Sequence, residues 1–133
     1  MSTPSTTTRS VAIVEDDPMM GGLVAQMLAH YGLSTQLFTG GFALLRSDTL
    51  QGYQTIVMDL SLPDMDGFEL IQKLAERAPH AELMLMTGRG NATLESARMV
   101  AEGLGTRVVG ALNKPFSHLE LALALALHEP GAA

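Results

Sequence analysis

Short apolar runs alternate five times with segments of helical periodicity, and that alternation limits the fold of this chain more than any other feature. The first run, VAIV at 11–14, is short and mostly β-branched and is followed at once by EDDP, as expected for a buried strand. The segment after it places apolar residues three or four positions apart, as an amphipathic helix does. Five strand–helix units in succession imply a parallel sheet with right-handed crossovers and with helices on both faces.

The boundaries of these elements follow from helix caps and from changes in the apolar pattern. Strands are predicted over 11–14, 34–38, 55–60, 82–86 and 106–112. Helices are predicted from Pro18 to a stop at Gly32, and over 41–47, 67–77, 91–103 and 117–128. Asp17 and Asp66 each precede a predicted helix, so their simplest interpretation is that they are N-caps.

Composition favours one globular domain, since 47% of the 133 residues are hydrophobic. We predict that this domain spans 10–129, between a flexible polar tail over 1–9 and a C-terminal tail over 130–133.

The chain has no Cys, which excludes disulfides and thiolate chemistry. A net charge of −6 argues against direct binding to nucleic acid or to an anionic membrane. Because the sequence contains neither a membrane-spanning apolar run nor the apolar core of a secretory signal, we expect a cytoplasmic protein.

Polar residues collect where the predicted strands end, although the central strands contain almost no other polar residues. Glu15, Asp16 and Asp17 follow the first strand, Asp59 lies near the end of the third, Thr87 follows the fourth and Lys114 follows the fifth. In open α/β sheets, functional groups meet in the crevice outside the carboxyl ends of the strands. We therefore expect these side chains to form one site.

The chemistry of this predicted site centres on Asp59, because a carboxylate at the end of an apolar strand is costly to bury without a partner. Several carboxylates close together cannot all ionise without a cation, and oxygen ligands without His or Cys suit a hard ion such as Mg²⁺. Lys114 adds a positive charge and Thr87 a hydroxyl. These are the groups that stabilise a phosphoryl group in transfer, with Asp59 as the nucleophile that becomes an aspartyl-phosphate.

At four strand ends the sequence resembles the response-regulator receiver domain, the phosphoacceptor module of two-component signalling. The motifs that carry the resemblance are IVEDDP at 13–18, VMDLSLPDMDG at 57–67, MTG at 86–88 and NKPF at 113–116. The resemblance extends from residue 11 to about residue 128. It implies a flavodoxin-like, doubly wound α/β fold of five parallel strands in the order 2-1-3-4-5, with five helices.

The resemblance also implies roles for individual residues. Asp59 matches the phosphorylated Asp, Lys114 the lysine that pairs with the phosphoryl group, and Thr87 the switch hydroxyl. Pro115 would follow a cis peptide bond. A histidine kinase or a phosphotransfer protein would supply the phosphoryl group, and the surface of helix four, strand five and helix five would then switch to control a partner or an output domain. Such a domain is not an enzyme in the usual sense, since it catalyses only its own phosphorylation and dephosphorylation.

A magnesium site is implied by the same resemblance. Glu15 and Asp16 match the acidic pair that holds Mg²⁺, with Asp16 as a direct ligand and Glu15 acting through water. Asp59 and the backbone carbonyl of Ser61 match the remaining protein ligands.

Two segments depart from the usual pattern of the family. Ala111 stands where most receivers carry Tyr or Phe, three residues before the lysine, and the segment leading to Lys114 looks a few residues longer than usual. The last helix carries leucine at alternate positions, which cannot all face one sheet: Leu119, Leu121, Leu123, Leu125 and Leu127. We predict association through this helix, as a homodimer or with an output domain, and expect Leu121 and Leu125 to form the contact because they are four residues apart.

Other classes of protein use similar parts. A magnesium-dependent phosphatase of the haloacid-dehalogenase kind also has a nucleophilic Asp, a hydroxyl and a Lys at strand ends, but carries Asp-x-Asp on its first strand. A flavin-binding module of similar topology needs a phosphate loop rich in Gly and hydroxyl groups after strand one, which this sequence lacks. A degenerate receiver that acts only as an interaction scaffold is favoured by Ala111, whereas Asp59, Thr87 and Lys114 weigh against it.

Overall fold

The computed structural model describes residues 9–127, in which five parallel strands form one sheet. The strands are β1 Ser10–Val14, β2 Ser34–Phe38, β3 Thr55–Asp59, β4 Glu82–Thr87 and β5 Val108–Asn113. The helices are α1 Pro18–His30, α2 Gly41–Leu45, α3 Gly67–Arg77, α4 Asn91–Gly103 and α5 His118–Ala124, with a single 3-10 turn at Leu50–Gly52 between α2 and β3. The predicted tail over 130–133 and nearly all of the tail over 1–9 lie outside the described residues.

The strand order is β2-β1-β3-β4-β5, which confirms the predicted doubly wound, flavodoxin-like sheet. The chain moves outward from β1 to β2, returns to place β3 on the other side of β1, and then continues in one direction. This reversal leaves the carboxyl ends of β1 and β3 side by side, without a crossover closing over them. A parallel sheet of this kind forms its crevice at that point.

Each face of the sheet is covered by its own apolar core, because successive strand residues point to opposite faces. Ala12, Ile56 and Leu83 belong to the core on one face, together with residues of α2, α3 and α4. Ile13 and Val57 belong to the core on the other face, together with residues of α1 and α5. Because helices cover both faces of the sheet, consecutive residues along a strand are apolar, and not only every second residue. In the described part of the chain, no helix is both long and apolar enough to cross a membrane.

The predicted helix caps are confirmed. Asp17 accepts a hydrogen bond from the amide of Met19 at 3.0 Å, and Pro18 is the first residue of α1. Asp66 accepts one from the amide of Phe68 at 2.9 Å at the start of α3. The bounds predicted for β2, α3 and α4 agree with the structure, whereas each of the other elements has at least one end that differs from the prediction by one to four residues. Those ends, such as the start of β5 and the end of α5, depend on contacts with neighbouring elements that the local sequence does not contain.

The pairing of β5 with β4 contains one irregularity. Leu83 of β4 pairs with Val108, but the next residue, Met84, pairs with Gly110, so Val109 has no partner across the pair. One extra residue in one strand is the pattern of a β-bulge. Gly110 follows the bulge at a point where a β-carbon would lie 2.7 Å from both Met84 and Ala124, so the close approach of α5 requires glycine there.

The prediction for the leucines of the last helix was wrong in its choice of face. Leu121 and Leu125 do share a face, but that face packs on the sheet, where they are 1% and 3% exposed. Leu119 and Leu123, also four residues apart, are 59% and 72% exposed. A spacing of four identifies residues on one face of a helix, but it does not tell which face the sheet covers.

Leu121→Ala is therefore expected to lower the free energy of unfolding by about 2–5 kcal/mol, because it leaves a cavity in a closed core. Leu123→Ala is the matched control: it removes the same atoms from the same helix, but at an exposed position, and should change stability by less than about 0.5 kcal/mol. Urea unfolding followed by circular dichroism measures both. Similar losses for the two variants would contradict the orientation of α5 described here.

Candidate functional site

The predicted site residues meet at the carboxyl edge of the sheet. Asp59 is the last residue of β3 and Thr87 the last residue of β4, while Glu15 and Asp16 follow β1 directly and Lys114 follows β5 directly. Their strands are neighbours in the order β1-β3-β4-β5, so the pairing of the backbone brings together residues that are up to 99 positions apart in sequence.

Lys114 bridges two buried carboxylates. Its Nζ lies 2.9 Å from Oδ2 of Asp59 and 2.5 Å from Oε1 of Glu15. Asp59 is 4% exposed and Glu15 only 1%, so neither charge is compensated by bulk water. Carboxylates buried to this degree are stable only with a charged or hydrogen-bonding partner, and Lys114 supplies it to both. The sequence suggested the contact with Asp59 but not the one with Glu15.

Burial and the ion pairs shift the pKa values of Glu15 and Lys114. Burial raises the pKa of Glu15 above its ordinary value, and the nearby charge of Asp59 adds to the rise, while hydrogen bonds from Lys114 and from the amide of Asp17 oppose it. Burial alone would lower the pKa of Lys114, but its hydrogen bonds to Glu15 and Asp59 and its attraction to both charges outweigh that effect, so its pKa is raised. Lys114 is therefore a cation throughout the neutral range.

Backbone groups hold the second oxygen of Asp59. Its Oδ1 accepts a hydrogen bond from the amide of Ser61 at 2.9 Å, while the amide of Leu60 donates to the carbonyl of Met86 at 2.9 Å. The loop after β3 thus turns back over the carboxylate and remains attached to β4. These contacts leave the Asp59 side chain in one orientation with both oxygens engaged.

Thr87 lies at the same edge, completely buried at the end of β4. Its hydroxyl oxygen accepts a hydrogen bond from the amide of Arg89 at 3.1 Å, which leaves the hydroxyl proton to be donated elsewhere. Its carbonyl accepts a hydrogen bond from the amide of Lys114 at 2.8 Å. Thr87 and Lys114 are thereby joined through the backbone.

The acidic residues fit a small hard cation. Oxygen atoms of Glu15, Asp16 and Asp59 all lie within 4.8 Å of one another. Opposite ligands in the octahedral shell of Mg²⁺ are about 4 Å apart, so small side-chain movements would bring these oxygens into the shell. Asp16 is exposed and open to an arriving ion, whereas Glu15 is already engaged by Lys114. The role of the Ser61 carbonyl as a further ligand stays a prediction.

Two contacts near the site were not foreseen from the sequence. The side chains of Asn91, at the start of α4, and Asn113, at the end of β5, are hydrogen-bonded to each other. Asp64 binds the first amides of α2 from the loop after β3. A signal for the second contact was present, since Gly40 precedes α2 and has no side chain to cap it.

Comparison with known proteins gives the same picture. The family model of the response regulator receiver domain matches residues 11–126. Among curated relatives, the transcriptional regulatory protein QseB of Escherichia coli O157:H7 is 27% identical over 115 residues, which are 86% of this chain and 50% of QseB. The transcriptional regulatory protein TcrA of Mycobacterium tuberculosis (strain H37Rv) is 30% identical over 111 residues, or 84% of this chain and 42% of TcrA. The chain thus spans about half the length of the curated relatives it matches.

Solved structures extend the likeness to the whole fold. A response regulator from Colwellia psychrerythraea is 32% identical, with a TM-score of 0.75 over 90% of this chain and 95% of that one. The signal receiver domain of an HD domain-containing protein from Pseudomonas fluorescens Pf-5 is 20% identical, with a TM-score of 0.78 over 90% and 93% of the two chains. With the matching family model, the strand order and the charged groups gathered at the strand ends, the chain belongs to the receiver domains of two-component response regulators.

Proposed function

We propose that this domain accepts a phosphoryl group on Asp59 from a histidine kinase or a phosphotransfer protein, with Mg²⁺ bound beside it. The observation that carries the proposal is the contact of Lys114 with both Asp59 and Glu15, at an edge where Asp16 completes an acidic cluster. A nucleophile, a fixed cation and a metal site in one place are the requirements of phosphoryl transfer.

In the proposed reaction, an oxygen of Asp59 attacks the phosphorus of the donor. A bond forms between this oxygen and phosphorus, and the bond from phosphorus to the donor breaks, with its electron pair leaving on the donor. Lys114 is 2.9 Å from Asp59 and would remain beside the transferred group as a counter-charge. The hydroxyl of Thr87 has a proton to donate to a phosphoryl oxygen.

The metal would be held by carboxylate oxygens of Asp16 and Asp59, with Glu15 acting through water and the Ser61 carbonyl as a further ligand. When bound, Mg²⁺ neutralises charge on the phosphoryl oxygens. Lys114 occupies the Glu15 carboxylate in the structure, which supports an indirect role for Glu15. On this proposal the domain turns over no separate substrate and catalyses only its own phosphorylation and dephosphorylation, so it is a switch rather than an enzyme.

The switched surface would consist of α4, β5 and α5. A movement of Thr87 toward a phosphoryl group would pull on β5, because the Thr87 carbonyl is bound to the amide of Lys114 and Thr87 pairs with Asn113 in the sheet. Ala111, in the middle of β5, offers no ring that could rotate between two positions. Coupling through the paired backbones of β4 and β5 therefore replaces the usual aromatic relay in this proposal.

The two rival functions are less well supported. A haloacid-dehalogenase-like phosphatase would carry its nucleophile on the first strand, whereas Asp59 ends β3 in this structure. A degenerate scaffold would not need Lys114, Glu15 and Asp59 in one buried ion-pair network. Labelling of Asp59 separates the proposed switch from the scaffold.

Acetyl phosphate with Mg²⁺ is expected to add one phosphoryl group to the wild-type protein and none to Asp59→Asn, because Asp59 is the proposed nucleophile, held beside Lys114 and the acidic cluster. Intact-mass spectrometry measures the addition. Asp66→Asn serves as the matched control, because it changes another Asp of the same loop that only caps α3, and it should label like the wild type. Equal labelling of Asp59→Asn and wild type would exclude Asp59 as the acceptor.

Mg²⁺ is expected to raise the melting temperature, because a ligand that binds only the folded state stabilises it, by about 2.7 kcal/mol at 100 times the dissociation constant. Asp16→Asn should remove this rise. Asp17→Asn changes the neighbouring carboxylate, which caps α1, and should keep the rise. Differential scanning calorimetry with and without Mg²⁺ tests the assignment, which fails if Asp16→Asn responds to the ion as strongly as the wild type.

The exposed leucines of α5 support a proposed interface with a second copy or an output domain. Leu119 and Leu123 form an apolar pair on a surface helix, and full burial of each would contribute roughly 1.5–3 kcal/mol. The wild type, phosphorylated or not, is expected to associate at high concentration in light scattering, and the variant Leu119→Glu with Leu123→Glu to stay monomeric. A wild type that remains monomeric at all concentrations would exclude the homodimer and leave only an output domain as the partner.

A further inference from the structure

The short helix α2 lacks a capping side chain of its own. The residue before it is Gly40, and the first amides of a helix have no partner within the helix. Ser, Thr, Asp or Asn usually supplies an acceptor at this position. The amides of Gly41 and Phe42 must therefore find an acceptor elsewhere in the chain.

Asp64 supplies that acceptor from another loop. Its Oδ1 accepts a hydrogen bond from the amide of Gly41 at 3.2 Å, and its Oδ2 accepts one from the amide of Phe42 at 3.1 Å. The carboxylate thus uses both oxygens on a helix that lies 22 and 23 residues away in sequence. Asp66, two residues later, differs in this respect, because it caps the helix that it begins.

Gly40 leaves the space that the Asp64 carboxylate occupies. A β-carbon on Gly40 would lie 2.6 Å from Oδ2 of Asp64, which is far inside van der Waals contact. Its φ of −168° is extended backbone that any residue can adopt, so the backbone does not require glycine. The Asp64 carboxylate is what leaves room only for glycine at position 40.

The contact joins the two sides of the acidic site. On one side, Gly40 lies two residues after Phe38, whose carbonyl accepts a hydrogen bond from the amide of Glu15 at 3.0 Å. On the other side, Asp64 belongs to the loop that begins at Asp59 and bonds to it through the amide of Ser61. A closed path of contacts therefore runs from the acidic residues after β1, through the start of α2, to the loop after β3.

We propose that Asp64 is a positioning residue, which sets the distance between the carboxylates after β1 and those after β3 and thereby makes the site selective for Mg²⁺. This inference rests on the magnesium site of the proposed function. Mg²⁺ demands a nearly ideal octahedral shell, whereas Ca²⁺ accepts longer and more variable distances. Removing the hydrogen bonds that Asp64 accepts from α2 therefore weakens Mg²⁺ binding more than Ca²⁺ binding.

Asp64→Ala is expected to weaken Mg²⁺ binding roughly tenfold, the size of effect typical of residues that orient metal ligands, while Ca²⁺ binding changes much less. Isothermal titration calorimetry with each ion alone, below the melting temperature of every variant, measures both constants. Asp64→Asn retains one acceptor oxygen and should give an intermediate loss. A residue that served only as a helix cap would lower the melting temperature without changing the preference between the two ions.

Gly40→Ala breaks the same contact from the other side while leaving the Asp64 carboxylate in place. It should weaken Mg²⁺ binding as Asp64→Ala does, and the double variant should be no worse than either single variant, because the two changes remove one interaction. Gly52→Ala is the matched control, since a β-carbon at Gly52 meets nothing within 4 Å. It should bind both ions like the wild type.

Three results would overturn the inference. The first is an unchanged ratio of Mg²⁺ to Ca²⁺ affinity in Asp64→Ala, whatever its melting temperature. The second is additive losses in the double variant, since these would assign Gly40 and Asp64 to separate interactions. The third is a wild type that binds no Mg²⁺, which would also remove the metal from the proposed function. Normal Mg²⁺ binding by the wild type together with normal binding by the variants overturns the role of Asp64 alone.

Discussion

The ion pairs of Lys114 with Glu15 and Asp59 are the contacts on which the rest of the site is built. The two carboxylates end or follow apolar strands in the middle of the sheet, where water cannot compensate their charge. A cation that arrives from β5, two strands from β3, can reach both only because the sheet places the carboxyl ends of β1, β3, β4 and β5 at one edge. Removing the charge of Lys114 would leave two buried carboxylates without this partner, and breaking a buried ion pair in this way typically costs about 3–5 kcal/mol.

The loops around this edge are held by hydrogen bonds to the backbone rather than by apolar packing alone. Asp17 and Asp66 begin the helices that follow β1 and β3, and Asp64 reaches a third helix. Each carboxylate accepts bonds from amides at a helix N-terminus, where the partial positive charge of the helix favours a negative group. The acidic residues of the chain therefore occur in two settings, as a cluster at the site and as hydrogen-bond acceptors that hold the surrounding loops.

The proposed coupling between the site and the surface of α4, β5 and α5 would not use the aromatic side chain that most receivers carry in β5. Position 111 of β5 carries Ala, which has no ring that could change position. Two described contacts that link the site to this surface are the β4–β5 pairing at Thr87 and the side-chain hydrogen bond between Asn91 and Asn113. A bulge at Val109 interrupts the same pair of strands nearer their start. Any signal that leaves Thr87 through β5 would thus be carried by a short stretch of regular pairing between the bulge and Lys114.

The sequence by itself determined the α/β class, the helix caps and the set of residues at the strand ends. These follow from local patterns: apolar runs, Asp before a helix, and polar residues where a strand stops. Tertiary structure decided what local patterns cannot contain. Leu121 and Leu119 are equally apolar, and only the packing of α5 on the sheet buries the first and exposes the second. The bond between Lys114 and Glu15 joins residues 99 positions apart, and Asp64 caps a helix 22 residues before it. Such contacts depend on how finished elements come together, because hydrogen bonds and burial are set by distance in space and not by distance along the chain.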